Sequence, residues 1–233
     1  MRNLHAIVTV FGVASCLCLG ACNRASSASD TGAATAATAK TENVNATPAT
    51  PTNAAIGKPA PDFELKDLEG HPVRLSQFRG KRVVLEWFNP ECPFVRASHT
   101  KGSLKGLADK YTDQGTVWLA INSGAPGKQG YGIETNVAGT RRYGLKHPVL
   151  IDEKGDVGRA YDAKHTPHMY VIDEKGVLVY RGAIDNSPDG EGESPKGGTL
   201  VNYVESALAD LSVGRPVKTA ETEAYGCSVK YAK

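Results

Sequence analysis

Hydrophobic positions between residues 56 and 214 switch repeatedly between a period of two and a helical period. Val83 to Phe88 is a nearly continuous apolar run with β-branched and aromatic residues, the pattern of a buried strand. Thr116–Asn122 and His147–Ile151 have the same character. Upstream, the turn residues from Gly57 lead into an alternating strand at Phe63-Glu64-Leu65, and Val73 and Leu75 resume the alternation after the turn Leu68–Pro72. Leu104, Leu107, Ala108 and Tyr111 recur at helical spacing and predict a helix from Pro93 to near Gly115. Gly102 and Gly106 weaken it and allow a kink. A helix is predicted near Ile133–Tyr143 and a short one over Gly155–Tyr161. His168–Asp173 and Val177–Tyr180 flank Glu174-Lys175-Gly176 as the two arms of a hairpin. Asp185–Gly198, rich in Gly, Pro and acid, predicts a surface loop. Leu200, Val204, Ala207, Leu208 and Leu211 share one face of a final amphipathic helix. Strands alternating with helices, then a hairpin and a helix, predict an α/β fold with a central mixed sheet flanked by helices.

The pattern breaks at both ends. Arg2 and His5 precede an apolar stretch, Ala6–Ala21, too short for a membrane span of about 20 residues and shaped like a secretory signal. Residues 22–55 are rich in Ala and Thr, with no aromatic residue and Val44 as the only larger aliphatic. Such a segment buries too little apolar surface to offset its ordering entropy, and predicts a flexible tether with a mean span of roughly 30 Å. From Gly214 onward the chain is mostly polar, contains Pro216, and reads as an extended or mobile tail over residues 215–233. The domain organisation expected is therefore a signal at 1–21, a tether at 22–55, one folded domain at 56–214 and the tail.

The 233 residues and net charge of +2 add little except by exclusion. No basic run points to nucleic acid. Ser/His/Asp hydrolase and nucleotide-loop patterns are not evident, Gly130-x-Gly132 being too weak to count. No cofactor is expected.

Cysteine placement is more informative. The turn Asn89-Pro90-Glu91-Cys92-Pro93 joins a buried strand to a helix, putting Cys92 at or just before the helix N-terminus. Unpaired amide donors and the helix dipole there favour a thiolate. The alternative is a buried, inert thiol.

Leu19-Gly20-Ala21-Cys22 resembles the lipobox of bacterial lipoproteins, with a weaker match at Val13-Ala14-Ser15-Cys16. The resemblance implies cleavage before Cys22 and its lipidation. Asn23, which is not the Asp resembling an inner-membrane retention signal, points to the periplasmic face of the outer membrane. The folded segment resembles the thioredoxin-like superfamily in its redoxin branch, of AhpC/TSA type. The resemblance rests on Gly57-x-x-Ala60-Pro61-Asp62-Phe63, Gly80-Lys81-x-Val83-Val84-Leu85 and the segment Glu86 to Val95. It implies a thioredoxin-like fold, Cys92 as nucleophile, Thr166-Pro167 as the cis-proline loop beside it, and Glu86 as a buried proton-handling carboxylate. Glu86 by sequence alone could equally face solvent. The nearest group is the peroxiredoxin-like bacterial redoxins, similar in Cys-Pro-aromatic-Val-Lys/Arg, Ala120–Ser123, Tyr180–Asn186 and Gly226–Tyr231. Many of them carry a cysteine where this chain has His165.

Two departures matter. Val95 replaces the second cysteine of a C-x-x-C pair, and Asn89 and Leu85 replace the Thr and Pro of a peroxidatic site. Cys227 is the remaining cysteine after the tether. Thirteen tail residues reach up to ~45 Å, and the domain is about 40 Å across, so an encounter with Cys92 is possible. A catalytic pair, a permanent staple worth roughly 5 kcal/mol, and pairing with another protein's thiol all remain open. The expected activity is thiol–disulfide exchange on protein thiols or disulfides with an unassigned reductant. The alternatives are a thiol-dependent peroxidase acting on peroxide and a copper- or partner-binding module. His99, His165 and His168 with Cys92 could form a soft-metal site, although the C-x-x-x-C of copper-handling relatives is missing.

Overall fold

The computed structural model describes residues 53–233. The signal-like segment, Cys22 and the tether up to residue 52 lie outside the described residues. In chain order the elements are β1 (Glu64–Asp67), β2 (Pro72–Arg74), a 3-10 turn (Leu75–Phe78), β3 (Val83–Trp87), α1 (Pro93–Thr100) and α2 (Leu107–Thr112). Then follow β4 (Val117–Asn122), α3 (Ile133–Tyr143), β5 (Val149–Ile151), α4 (Asp156–Ala160), β6 (His165–Thr166) and β7 (His168–Ile172). The last are β8 (Leu178–Gly182), α5 (Tyr203–Ser212) and β9 (Cys227–Ser228).

The seven-stranded sheet has the order β2-β1-β5-β4-β3-β7-β8. β3 is an interior strand, parallel to β4 and antiparallel to β7, and all five of its residues are buried. The sheet is therefore mixed, with helices carrying the parallel crossovers. Side chains alternate across it. Leu85 and Trp87 join Leu119, Ile121, Tyr161 and Tyr170 in one core. Val84 faces the other way, with Trp118, Met169, Tyr180 and the buried face of α5. Each fully buried large side chain contributes about 1.5–3 kcal/mol. The same alternation turns Glu86 towards the side of Val84.

Several expectations change. The helix read from Pro93 to Gly115 is two helices. A Cβ on Gly102 would collide with the carbonyl of Gly190, so the loop after β8 crosses where the first helix ends. Gly106, at φ +72°, begins the second. The segment 185–198 is not wholly a surface loop, because Asp185 and Ser187 are buried. Leu200 stays outside α5, whose N-cap is Asn202, with its side chain accepting the Glu205 amide at 2.9 Å. Ala54, which composition places in the tether, is buried, and its amide donates to Ala160 O at 2.8 Å. The tail is extended but packed: residues 220–222 run beside β8, and β9 pairs with β6.

The strand-to-helix turn after β3 is braced by α3. Gly139 lies so close to the Pro90 ring that a Cβ would overlap it. Tyr143 Oη donates to Pro90 O at 2.6 Å. Gly139→Ala should cost about 1–3 kcal/mol through overpacking, lowering the urea midpoint with the slope unchanged. An unaltered midpoint would contradict this close contact.

Candidate active site

Cys92 is the N-cap of α1, with Pro93 in the first turn, and its side chain is fully buried. Asn89 shapes the turn: its Oδ1 accepts the Glu91 amide at 2.9 Å and its Nδ2 donates to Gln129 O at 3.3 Å. Gly130, at φ +80°, presses on the Asn89 side chain where any Cβ would collide. The Glu91 carboxylate accepts the Gly130 amide at 2.7 Å. Asn89 is thus committed to holding the loop.

Two partners meet the Cys92 sulfur. Its thiol donates to Thr166 O at 3.1 Å, and Cys227 Sγ lies 2.8 Å away. The Thr166–Pro167 bond is cis. Cys227 arrives on β9, whose antiparallel register sets Cys227 opposite Thr166 and Ser228 opposite His165. The Val229 amide continues the contact by donating to Lys164 O at 3.0 Å. Both cysteines are free thiols. Their separation exceeds a disulfide bond of about 2.05 Å and lies within the distance at which reacting atoms meet. Burial and the neighbouring Cys92 sulfur push the Cys227 thiol up to about 11, so it keeps its proton at neutral pH. The tail read as mobile therefore seats its cysteine directly on Cys92.

Glu86 is fully buried, with Oε1 2.8 Å from His99 Nε2 and Oε2 accepting Trp118 Nε1–H at 3.3 Å. Burial would raise its pKa, but the charge and hydrogen bond of His99, then His147 and Trp118, hold it below the ordinary carboxylate value. The His99 ring stacks on Tyr143 at 5.6 Å, so the pair connects through Tyr143 to the Pro90 carbonyl of the active-site turn. The sequence offers His99 as a member of a soft-metal site with Cys92; in the structure its Nε2 is paired with the Glu86 carboxylate. Its available signals were its place on the Cys92 helix and the inward side of Glu86.

The other histidines do not gather around Cys92. His168 is buried with Nδ1 accepting the Lys164 amide at 3.3 Å, and His165 Nδ1 is buried without a hydrogen-bond partner. Among the described residues, the one trio of His, Cys, Asp or Glu with ligand atoms within 4.8 Å of one another is Asp67, Glu69 and His71, on the turn between β1 and β2.

Burial lowers His147 to about 4 and His168 to about 3. Unfolding returns both to about 6.5, so below that pH the unfolded chain binds protons that the folded chain refuses. Their contribution is complete above pH ~6.5 and is lost as pH falls, by about 3 kcal/mol for His147 at pH 4. Urea melts from pH 7 to pH 4 should show this decline; a flat profile would contradict buried neutral imidazoles.

The AhpC/TSA family model matches residues 56–181. The thiol-disulfide oxidoreductase ResA of Geobacillus kaustophilus is 36% identical over 126 residues, covering 54% of this chain and 67% of that protein. The thioredoxin-like protein YneN of Bacillus subtilis is 33% identical over 122 residues, covering 52% and 68%. Among solved structures, the hypothetical protein SMc02350 of Sinorhizobium meliloti 1021 superposes with a TM-score of 0.65 at 28% identity, covering 78% of this chain and 97% of that one. A conserved protein of Geobacillus kaustophilus gives a TM-score of 0.65 at 33% identity, covering 76% and 93%. With this topology and this site, the chain belongs to the AhpC/TSA family and is an oxidoreductase of thioredoxin-like fold.

Proposed function

We propose that the protein carries out thiol–disulfide exchange through Cys92, with Cys227 as the resolving cysteine. The observation that carries this reading is the 2.8 Å approach of the two free thiols across the β6–β9 pairing. In the reducing direction the Cys92 sulfur, as thiolate, attacks a protein disulfide. A Cys92–substrate bond forms and one substrate sulfur leaves as a thiolate. Cys227 loses its proton and attacks the Cys92 sulfur, releasing the second substrate thiol. Two electrons have then passed to the substrate, and the protein holds a Cys92–Cys227 disulfide. An external dithiol reductant reopens it. The steps run equally in reverse for oxidation. Glu86 and His99 form a buried site beneath α1 that can hold a proton during the cycle. Asn89, engaged in bracing its loop, offers no hydroxyl to activate peroxide, which favours exchange over peroxidase chemistry.

The protein acts, on this reading, as a lipoprotein tethered through Cys22 at the periplasmic face of the outer membrane. The support is Leu19-Gly20-Ala21-Cys22, followed by Asn23 and the Ala/Thr-rich segment.

Insulin reduction by dithiothreitol tests the chemistry. Cys92→Ser should abolish catalysis, and Cys227→Ser should accumulate mixed disulfides on Cys92 and turn over about tenfold more slowly unless excess thiol is added. Full activity in Cys92→Ser would overturn the nucleophile, and parental turnover in Cys227→Ser the resolving role. For the anchor, Cys22→Ser should move the protein to the soluble fraction. A parent whose mature N-terminus is unmodified, or a variant that stays membrane-bound, would overturn it.

A further inference from the structure

We propose that Tyr225 and Tyr231 are positioning residues that clamp Cys227 onto Cys92 and set the equilibrium between the dithiol and the disulfide. The inference rests on the reading of these two cysteines as an exchanging pair.

The tyrosines lie on either side of Cys227, and each enters a shaped seat. Tyr225 Oη donates to Asp185 Oδ1 at 2.7 Å, and its ring lies 6.2 Å from that of Phe94, two residues after Cys92. Asp185 is 1% exposed and is itself fixed, accepting the Ser187 amide at 2.9 Å and the Ser103 hydroxyl. Burial and the Asp185 carboxylate raise the Tyr225 hydroxyl further, so it stays a donor. Tyr231 lies over α4. Its Oη donates to Ala163 O at 2.8 Å, and Arg159 sits 4.9 Å from its ring centre. The ring fits there because Gly155 and Gly158 lack side chains: a Cβ on Gly155 would lie 2.6 Å from the ring, and one on Gly158 would overlap the hydroxyl. Between the anchors, Gly226 at φ +125° passes so close to Thr166 O that no Cβ fits.

A two-residue ladder is marginal alone. Together with the backbone bonds of Val229 to Lys164 and of Ala125 to Lys230, these anchors hold Cys227 in position and suppress motion of the tail before any bond forms. Holding a thiol in this way raises its effective concentration at its partner. Loosening the tail in the dithiol state makes ring closure less favourable, while an intermolecular reaction of Cys92 needs no such ordering.

Equilibration of the purified protein with glutathione tests the clamp. One Cys92–Cys227 bond forms as the bond of glutathione disulfide breaks, two electrons pass to glutathione, and both protons end on its released thiols. The fraction oxidised is read by alkylation and mass mapping for the parent, Tyr225→Phe, Tyr231→Phe and Tyr231→Ala, with urea melts confirming that each reduced variant is folded. Removing either hydroxyl should shift the midpoint about tenfold towards the dithiol, and Tyr231→Ala, which also empties the notch, by more. If the parent closes its disulfide and folded variants titrate at the parental glutathione ratio, the clamp is overturned while the exchange reading stands. If the parent forms no Cys92–Cys227 disulfide at all, the exchange reading fails and takes the clamp with it.

Discussion

A ladder of two residues, Thr166 opposite Cys227 and His165 opposite Ser228, brings the chemistry of this protein together. It joins the cis-proline loop to a segment more than sixty residues later and delivers one sulfur to the other. Val95 at the usual second-cysteine position removes any local partner on the first turn of α1. The second sulfur beside Cys92 therefore comes from elsewhere in the chain, and the fold brings Cys227 there through backbone pairing at a fixed register. A slip of one residue would turn the Cys227 side chain to the opposite side of β9. Register, rather than chain reach, decides whether the pair can react.

Electrostatics divides the labour around that contact. Burial and the neighbouring Cys92 sulfur raise the Cys227 thiol, so it holds its proton at neutral pH, while Cys92 sits at the N-cap of α1. Beneath them, Glu86 avoids the cost of a lone buried charge because His99 and Trp118 both meet its oxygens. Removing either partner would leave a polar group stranded in the core. Stacking of His99 on Tyr143 makes this polar centre part of the same packed unit as the Pro90 turn.

The strands and the main site were legible because their signals are local. The runs around Val84, Leu119 and Val171 state their burial directly, and Glu174-Lys175-Gly176 states its hairpin. Cys92 before Pro93 states a helix start. What was not legible depends on contacts between distant segments. Gly102 reads as a tolerated weak point in a helix, yet Gly190 arriving against it divides the helix in two. Polar composition made the tail look loose, since nothing local announces that Tyr225 will meet Asp185 or that Gly155 and Gly158 leave a notch for Tyr231. The pairing of Glu86 with His99 likewise joins a strand to a helix face whose relative placement only the packed fold determines. The N-terminal cysteine motif rests on sequence alone.

The tail is seated while both cysteines are free, before any disulfide can hold it. Hydrogen exchange at the Val229 amide, which donates to Lys164 O at 3.0 Å, and at the Ala125 amide, which donates to Lys230 O at 2.8 Å, reads that directly. With both cysteines reduced, these two amides should exchange far more slowly than in an unstructured peptide, tracking β9 as a folded strand. Exchange at the free-peptide rate, with the central strands still protected, would contradict it.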